Sequence, residues 1–396
     1  MTTPNLGFDL TPLTRTSPAG RPIDLTSPIP LTSLAGKTIL ITGGASGIGA
    51  AFAARWAAHG ANIFVADINP VSGAAVVASL PTPLIDKQQK HHFIKCDVTV
   101  WDDQLRLFQE VVRLSPTGGI DAVVPNAGIY EKRSTATGRG FEDPVRLDQP
   151  GAPEPRLDVL KTNLIAVAWT VHLAMFWLPR NGPDGERDRH ILLIGSIAGI
   201  SPLPGLPEYC AAKHGVTGLW RALSGTGWRH GVRSNLLLPY FTDTPMMPWQ
   251  GMGLLAGAGV AEVNDVVEAG TRMMADEGIR GKALAVTAPV GVEGGDGGDG
   301  TRVLAEGEEV KVVGTGKDGR GRREAVWEVM AGDYEHVEAF VWRFVRLMNA
   351  LMVIRGWVGF LADCVRFGWF RRREEERATR ERRRRRAKEG GKKKTL

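Results

Sequence analysis

The chain of 396 residues is predicted to adopt an α/β fold, a doubly wound parallel sheet with helices on both faces. Three observations carry this prediction. Short apolar, β-branched runs alternate with longer helical stretches, and a glycine-rich turn follows the first run. Hydrophobic residues make up 43% of the chain and charged residues 23%, which is an ordinary globular composition. It excludes a fully disordered, collagen-like or disulfide-dense protein.

The predicted elements begin at residue 37 and alternate along the chain. Strands are predicted at 38–42, 62–67, 93–97, 121–124, 190–195, 233–238 and 283–286, and helices at 50–58, 101–114, 159–178 and 209–227. The strands are short apolar runs, as in sheets that are buried on both faces. Because helices connect them, we expect the strands to be parallel.

Composition divides the chain into five segments. They are an extended, flexible or loosely docked N-terminal arm (1–36), the α/β domain (37–286), a Gly-rich linker or insertion (287–335), an apolar or amphipathic helical segment (336–370) and a basic disordered tail (371–396). The net charge of +6 is concentrated in the tail, which has fourteen Lys/Arg and five Asp/Glu, a net +9. The remainder sums to −3, so only the tail is basic.

Three cysteines lack the spacing of a metal site or a CxxC pair, and no histidine cluster is apparent, so we predict reduced thiols and no metal. The N-terminus has no apolar signal segment, and no run approaches about eighteen uninterrupted apolar residues. These features predict an intracellular protein, either cytoplasmic or peripherally associated with a membrane.

The glycine-rich turn reads TGGASGIG over residues 42–49, between the first strand and the first helix. Closely approaching backbone, free N–H donors and a helix N-terminus are what a pyrophosphate needs. The turn therefore predicts a dinucleotide site, although a tight β–α connection alone would also place glycines here. The predicted contacts are Gly43, Ser46, Gly47, Ile48 and Gly49.

Asp67 ends the second predicted strand, eighteen residues after Gly49. A carboxylate at this position can accept hydrogen bonds from ribose hydroxyls and would repel a 2′-phosphate. It favours NAD over NADP; the alternative is a solvated aspartate at a strand end.

Tyr209 and Lys213 are spaced i and i+4, so they share one face of a helix. A neighbouring ammonium favours the phenolate, so we expect Lys213 to lower the pKa of Tyr209. Ser196 follows a predicted strand, at the sheet edge where doubly wound folds bind ligands.

Taken in order, these motifs resemble those of the classical short-chain dehydrogenase/reductase family over residues 37–286. The resemblance rests on the glycine motif at 42–49, Cys96-Asp97-Val98, Pro125-Asn126-Ala127-Gly128, Asn163, Ser196, the Tyr209/Lys213 pair, and Pro239 with Thr244. It implies a Rossmann-type fold and hydride transfer to or from a nicotinamide cofactor.

The resemblance also implies a role for each residue. Tyr209 is implied to be the general acid/base, Lys213 to lower its pKa and bind the nicotinamide ribose, and Ser196 to hydrogen-bond the substrate oxygen. Asn163 would hold a water of a proton relay. The remaining implied cofactor contacts are Asp97 and Val98 at the adenine, Asn126, Ala127 and Gly128 at the fourth strand, and Pro239, Thr242 and Thr244 at the nicotinamide.

Two positions depart from the family pattern: Pro125 replaces an Asn, and Tyr240 replaces a Gly. We expect the first to keep the turn but to cost one side-chain hydrogen bond, and the second either to narrow the site or to change the path of the loop. Residues 265–286 resemble, more weakly, the closing helix and strand of the 15-hydroxyprostaglandin dehydrogenase-like subgroup, which implies NAD-linked oxidation of a hydrophobic secondary alcohol.

The segments that follow bear on the substrate and on partners. Residues 245–255 are rich in Met and Trp and are predicted either to form an apolar substrate wall or to pack as an ordinary lid. Residues 336–396 combine an amphipathic stretch with the basic tail. They predict peripheral membrane contact, or else a helix packed on the body or on a dimer partner. Nucleic acid is not an expected partner.

The sequence as a whole predicts an NAD-dependent oxidoreductase that interconverts a lipophilic secondary alcohol and its ketone, acting as a homo-oligomer. The alternative is a dinucleotide-binding scaffold or sensor, recruited to a membrane or nucleic acid by its C-terminal extension, in which catalysis is incidental. The complete set of Ser196, Tyr209 and Lys213 favours the enzyme.

Overall fold

The computed structural model describes residues 23–81, 89–131, 141, 155–183, 185–201, 203–245, 259–293, 321–330, 350, 353–354 and 356–359. The chain divides into two compact units, Pro18–Tyr334 and a second that joins Met1–Ser17 to Glu335–Leu396. The described residues of the second unit are helical. The predictions for the Met- and Trp-rich stretch at 246–255, for most of the amphipathic segment and for the basic tail lie outside the described residues.

The described strands form one eight-stranded sheet of order β3-β2-β1-β4-β5-β6-β7-β8. The first seven pair in parallel, and β8 pairs antiparallel with β7. The strands are β1 (Thr38–Thr42), β2 (Asn62–Asp67), β3 (His91–Lys95), β4 (Ala122–Val124), β5 (His190–Ile194), β6 (Arg233–Pro239), β7 (Ala283–Glu293) and β8 (Gly321–Val329). The order reverses between β1 and β4, which in open α/β sheets marks the ligand crevice.

Helices cover both faces of this sheet. They are α1 (Gly47–Ala57), α2 (Pro70–Ser79), α3 (Trp101–Leu114), α4 (Asp158–Leu160), α5 (Ala166–Trp177), α6 (Pro207–Thr226) and α7 (Val263–Ala275). One π-helical turn, Lys161–Ile165, joins α4 to α5. Together with the parallel sheet, they confirm the predicted α/β fold.

Alternating residues of β1 point into two separate cores. Ile39 and Ile41 pack with Phe52 and Trp56 of α1 and with α7 on one face. Leu40 faces the opposite core, which contains side chains of α3, α5 and α6. Because both faces of each central strand are buried, the strands read as continuous apolar runs in the sequence.

The arm predicted at 1–36 is packed on the domain where it is described. Ile23, Leu25, Ile29 and Leu31 contact the α1/α7 core, because these apolar side chains recur where the chain crosses α7. The Arg272 guanidinium of α7 donates to the carbonyls of Asp24, Leu25 and Ser27 at 2.8–3.2 Å. Residues 23–36 therefore dock on the α/β domain, whereas residues 1–22 of the predicted arm lie outside the described residues.

The sheet does not end at Val286, as the sequence analysis expected. β7 continues to Glu293, and residues 321–329, which were assigned to a linker, return as β8 beside it. The Lys282 ammonium pairs with the Glu328 carboxylate at 2.6 Å, and Trp327 Nε1 donates to Thr287 Oγ1 at 3.2 Å. The domain boundary at 286 was therefore wrong, because a β-hairpin closes the sheet across the glycine-rich stretch.

The helical run Asp158–Arg180 is long and apolar enough to cross a membrane by length and composition. Its buried residues, among them Val167, Val171 and Ala174, pack in the core beneath α3 and α6. The packing accounts for its apolarity as that of a core helix.

Candidate active site

Two adjoining clefts open at the carboxyl ends of the strands, around the point where the strand order reverses. One is bordered by β1, β2, β3 and β4 and by the glycine turn. The other lies over β5 and β6 and is lined by the first turns of α6. Ile48, Asn126, Gly128 and Thr244 line both clefts, so the two form one continuous groove.

The glycine turn is folded so tightly that side chains would not fit. Gly43 has φ +63°, and a Cβ there would lie 2.6 Å from the Cα of Ala127. A Cβ on Gly49 would lie 2.5 Å from the carbonyl oxygen of Gly43. Ser46, the N-cap of α1, makes no side-chain capping bond, so the first-turn N–H groups of α1 are not capped by it. This cradle fits the pyrophosphate of a dinucleotide.

Two aspartates stand at the rim of the first cleft. Asp67 Oδ2 accepts from the Ala45 N–H at 3.1 Å, which ties the end of β2 to the glycine turn. Asp97 Oδ1 accepts from the N–H and hydroxyl of Thr99 at 2.9 and 2.7 Å. Both carboxylates have room for further acceptor contacts to ribose and adenine, because a carboxylate offers about four lone-pair sites.

The segment that follows β4, residues 126–131, connects the two clefts. Asn126 Nδ2 donates to the carbonyls of Thr42 and Gly43 at 3.0 and 2.9 Å. The Asn163 side chain exchanges two 2.8 Å hydrogen bonds with the backbone of Ile129. Asn163 lies in the π-helical turn and is fully buried. Such turns are frequent at functional sites, since they redirect a side chain.

Ser196, Tyr209 and Lys213 converge in the second cleft. The Ser196 side chain faces the Tyr209 hydroxyl and acts to lower the pKa of Tyr209. Lys213 Nζ lies 5.7 Å from the centroid of the Tyr209 ring and donates to the carbonyl of Ile194 at 3.0 Å. The helix α6 brings Tyr209 and Lys213 to one face, and β5 delivers Ser196.

The electrostatics of this trio differ from the expectation that Lys213 lowers the pKa of Tyr209. Burial raises the pKa of Tyr209, and the Ser196 side chain only partly opposes it. Burial also lowers the pKa of Lys213 to about 8. Burial is therefore the main cause of the pKa shift of both Tyr209 and Lys213.

The wall of the second cleft is apolar and aromatic. The Tyr130 ring lies 5.7 Å from the Tyr209 ring, centroid to centroid, and Tyr240 and Phe241 meet edge to face at 4.9 Å. The aliphatic part of the wall consists of Ile197, Leu203 and Leu206. Tyr240, which replaces the family's glycine, lines this cleft.

Nearly every predicted site residue lines the groove. Those in the first cleft are Gly43, Ser46, Gly47, Ile48, Asp67, Asp97, Val98, Asn126, Ala127, Gly128 and Thr244. Those of the second cleft, beyond the shared ones, are Asn163, Ser196, Tyr209, Lys213, Pro239 and Thr242. Gly49 lies beneath the groove, packed against Gly43 and Asn126. The assigned roles stay predictions.

Sequence reasoning missed the Tyr130 ring and the Leu203/Leu206 wall, which line the groove, and two groups that lie beside it, the Glu131 carboxylate and the Thr42 hydroxyl. The last accepts from the N–H groups of Asn126 and Ala127 at 3.1 and 3.2 Å. Tyr130 and Glu131 belong to none of the motifs that the sequence analysis identified, so the sequence carried no signal for them.

Comparison with known proteins defines the class. The short chain dehydrogenase family model matches residues 37–251. A 5'-hydroxyaverantin dehydrogenase of Emericella nidulans is 34% identical over 284 residues, covering 67% of this chain and 88% of that protein. The 15-hydroxyprostaglandin dehydrogenase [NAD(+)] of Mus musculus is 28% identical over 275 residues, covering 65% and 92%.

A solved structure agrees with the fold. The 3-ketoacyl-(acyl-carrier-protein) reductase of Brucella melitensis complexed with NADH superposes with a TM-score of 0.53, covering 64% of this chain and 98% of that one at 23% identity.

The chain belongs to the short chain dehydrogenase family, and the Rossmann-type fold is confirmed. It is an oxidoreductase that acts on CH–OH groups with a nicotinamide cofactor, NAD or NADP. The 15-hydroxyprostaglandin dehydrogenase-like subgroup is only weakly supported, since that relative is less similar than the 5'-hydroxyaverantin dehydrogenase.

Proposed function

We propose that the protein interconverts a lipophilic secondary alcohol and its ketone, with NAD as the preferred cofactor and Tyr209 as the general acid/base. The observation that carries the proposal is the Ser196–Tyr209–Lys213 trio at the bottom of an apolar, aromatic cleft. The intact trio and the dehydrogenase relatives favour an enzyme over the scaffold alternative.

The proposed mechanism assigns proton handling to the chain itself. Burial favours the neutral phenol of Tyr209, which is the form that donates a proton to a ketone oxygen. In the oxidation direction the phenolate of Tyr209, which Ser196 and the Lys213 ammonium stabilise, accepts the alcohol proton and becomes the neutral phenol. The chemistry that a bound nicotinamide supplies is hydride transfer.

The substrate class is proposed from the walls of the second cleft. Tyr130, Tyr240 and Phe241 offer ring faces and edges, and Leu203 and Leu206 offer aliphatic surface. A pocket of this kind gains most from burying a flat or extended apolar body, and its few polar groups orient the reacting oxygen. Two relatives are named for 5'-hydroxyaverantin and for 15-hydroxyprostaglandin, both of which carry a hydroxyl group, in keeping with an alcohol substrate.

The experiment on the reaction uses purified full chain, NAD or NADP, and a panel of lipophilic aliphatic and aromatic secondary alcohols, followed by NADH absorbance. We expect turnover with NAD and a fall of about 10³-fold in kcat for Tyr209→Phe. NADH binding, measured by fluorescence, should stay within about twofold because the ring is retained. Full turnover in Tyr209→Phe would show that another group moves the proton.

Cofactor preference rests on the carboxylate of Asp67, and relatives named for NAD and for NADP both occur. Asp67→Asn keeps an acceptor for the Ala45 N–H but removes the charge that would repel a 2′-phosphate. We expect the ratio of kcat/KM for NAD to that for NADP to fall by about tenfold or more, which corresponds to about 1.4 kcal/mol. An unchanged ratio would assign the preference to other residues.

A further inference from the structure

Two glutamates lie together beside the catalytic helix, outside the lining of both clefts. Glu131 Oε1 accepts from the backbone N–H of Glu208 at 2.9 Å. Glu208 is the second residue of α6 and precedes Tyr209, and it is 8% exposed. The first turn of α6 has no cap from its own N-cap residue, Leu206. The Glu131 carboxylate therefore supplies an acceptor that the start of the catalytic helix lacks.

Glu208 continues the connection to a third element. α4 packs against α6, and the backbone of Val159 in α4 acts to lower the pKa of the Glu208 carboxyl. α4 leads directly into the π-helical turn that carries Asn163. The two carboxylates thus lie in series between the segment after β4, the start of α6 and the start of α4.

The rest of the segment that ends in Glu131 already contacts the catalytic groups. Asn126 binds the glycine turn, Ile129 holds the Asn163 side chain from both sides, and Tyr130 packs on the Tyr209 ring. Glu131 adds the contact to the helix that carries Tyr209 and Lys213. The contacts of residues 126–131 thus reach residues that are predicted to act in catalysis or cofactor binding, or the backbone next to such residues.

We propose that Glu131 is a positioning residue, whose carboxylate fixes the first turn of α6 and thereby sets Tyr209 and Lys213 relative to Asn163. The proposal rests on the proposed function for its kinetic consequence, but the contact itself can be tested without any substrate.

The charges around Glu208 suggest how to test separately the two properties of the Glu131 carboxylate, its ability to accept a hydrogen bond and its negative charge. Burial raises the pKa of Glu208, and the neighbouring carboxylates of Glu131 and Asp158 raise it further. Asp158 is itself 4.0 Å from the Lys161 ammonium. A neutral amide at position 131 would remove one of the two charges that raise the pKa of Glu208 while keeping an oxygen acceptor. Glu131→Gln should preserve the positioning, whereas Glu131→Ala should remove it.

The test compares Glu131→Ala, Glu131→Gln and the unaltered full chain by amide hydrogen exchange and by kinetics. In Glu131→Ala we expect exchange in residues 207–213 to accelerate at least about tenfold, since the Glu208 N–H loses its acceptor. With the best alcohol of the panel, kcat should fall about tenfold while the Kd for NADH stays within about twofold. Glu131→Gln should restore both exchange and kcat.

A matched control separates positioning from a general loss of stability. Asn69→Ala removes the cap of α2, where Asn69 Oδ1 accepts from Val71 and Ser72 at 3.1 Å, and α2 carries no predicted site residue. It should lower the melting temperature as much as Glu131→Ala but leave kcat unchanged at saturating cofactor.

The proposal is overturned if exchange in residues 207–213 is unchanged in Glu131→Ala, if kcat is unchanged despite faster exchange, or if Glu131→Gln behaves like Glu131→Ala. If the unaltered chain oxidises no alcohol of the panel, that result contradicts the proposed substrate class. The exchange experiment still decides whether Glu131 holds the helix.

Discussion

At the amino ends of the strands, the buried carboxylate of Asp188 lies between two cations, whereas at the carboxyl ends the buried ammonium of Lys213 donates to a backbone carbonyl. Asp188 is 2.7 Å from Lys37 Nζ and 2.7 Å from Arg233 Nη2. Lys213 Nζ bonds the Ile194 oxygen at 3.0 Å. Both groups are buried at edges of the same sheet. The negative charge of Asp188 is balanced by two cations, whereas the positive charge of Lys213 meets only the dipole of a backbone carbonyl among the contacts described.

The pKa values reflect this difference. Burial alone would raise the pKa of Asp188, but Arg233 and Lys37 hold it well below its usual range. Burial lowers the pKa of Lys213 to about 8 with no charged group acting against it among the described residues. A buried group whose charge is balanced by its neighbours has one dominant protonation state near neutral pH. A buried group without such neighbours can have a pKa close to neutral pH, so that it can gain or lose a proton there. The first edge therefore contributes to stability, and the second holds the groups that we propose for catalysis.

The largest effect on stability is expected when Asp188, at the amino ends of the strands, loses one of its two cations, Arg233. Arg233 also donates to the carbonyls of Met273 and Ile279 at 2.7 and 3.2 Å, so Arg233→Met would leave Asp188 and these oxygens without it. We expect the free energy of unfolding to fall by about 3–5 kcal/mol. Urea denaturation measures this.

The control for that substitution is Arg113→Met, which breaks an exposed ion pair with Glu110 on α3. It should leave the denaturation midpoint unchanged, since exposed pairs contribute little. Equal midpoints for Arg233→Met and Arg113→Met would show that the buried network is not a source of stability.

At the carboxyl ends of the strands, substitution of the buried Lys213 is expected to raise stability rather than lower it. Because burial lowers the pKa of Lys213 from 10.5 to about 8, keeping its ammonium buried costs about 3 kcal/mol at pH 7. Lys213→Met removes this cost but also loses the hydrogen bond to Ile194, worth about 1 kcal/mol. We expect a net stabilisation of about 2 kcal/mol at pH 7, with turnover abolished.

The pH dependence checks the sign. Below pH 8 the lysine is protonated in both folded and unfolded chains, so the full cost is present. Between pH 8 and 10.5 the folded chain binds fewer protons than the unfolded one, so stability of the unaltered protein rises with pH. The advantage of Lys213→Met should shrink over that interval in thermal melts. A constant difference would contradict the burial cost.

The same contrast explains what the sequence could predict. The strands at 38–42 and 62–67 were placed correctly because burial on both faces makes them uniformly apolar. Tyr209, Lys213 and Ser196 were identifiable from their spacing and from the family resemblance. α2 was missed although Asn69 and Pro70 form a capped start, and β8 was missed because its partner is 28 residues away across glycines.

Contacts between distant residues carried no local signal. Glu131 meets Glu208 across 77 positions, and Lys37 meets Asp188 across 151. Charged residues such as Lys37 and Arg233 look like solvated strand ends in the sequence, and only the topology of the sheet gathers them at one buried edge. The raised pKa of Tyr209 was missed for a related reason, since desolvation depends on what the fold packs around the hydroxyl.

The smallest effect concerns a neutral group at the catalytic edge. The buried Thr42 hydroxyl accepts from the N–H groups of Asn126 and Ala127, so backbone of the cofactor cleft is held by an uncharged oxygen. Thr42→Val has the same shape but no acceptor, and we expect a loss of about 1 kcal/mol in stability. Because the segment after β4 would be held less firmly, the Kd for NADH should rise about threefold by fluorescence titration, about 0.6 kcal/mol. Thr42→Ser keeps the hydroxyl and should bind NADH as the unaltered protein does. If NADH binding were weakened equally in both variants, the cause would be the missing or displaced methyl group rather than the hydrogen bonds.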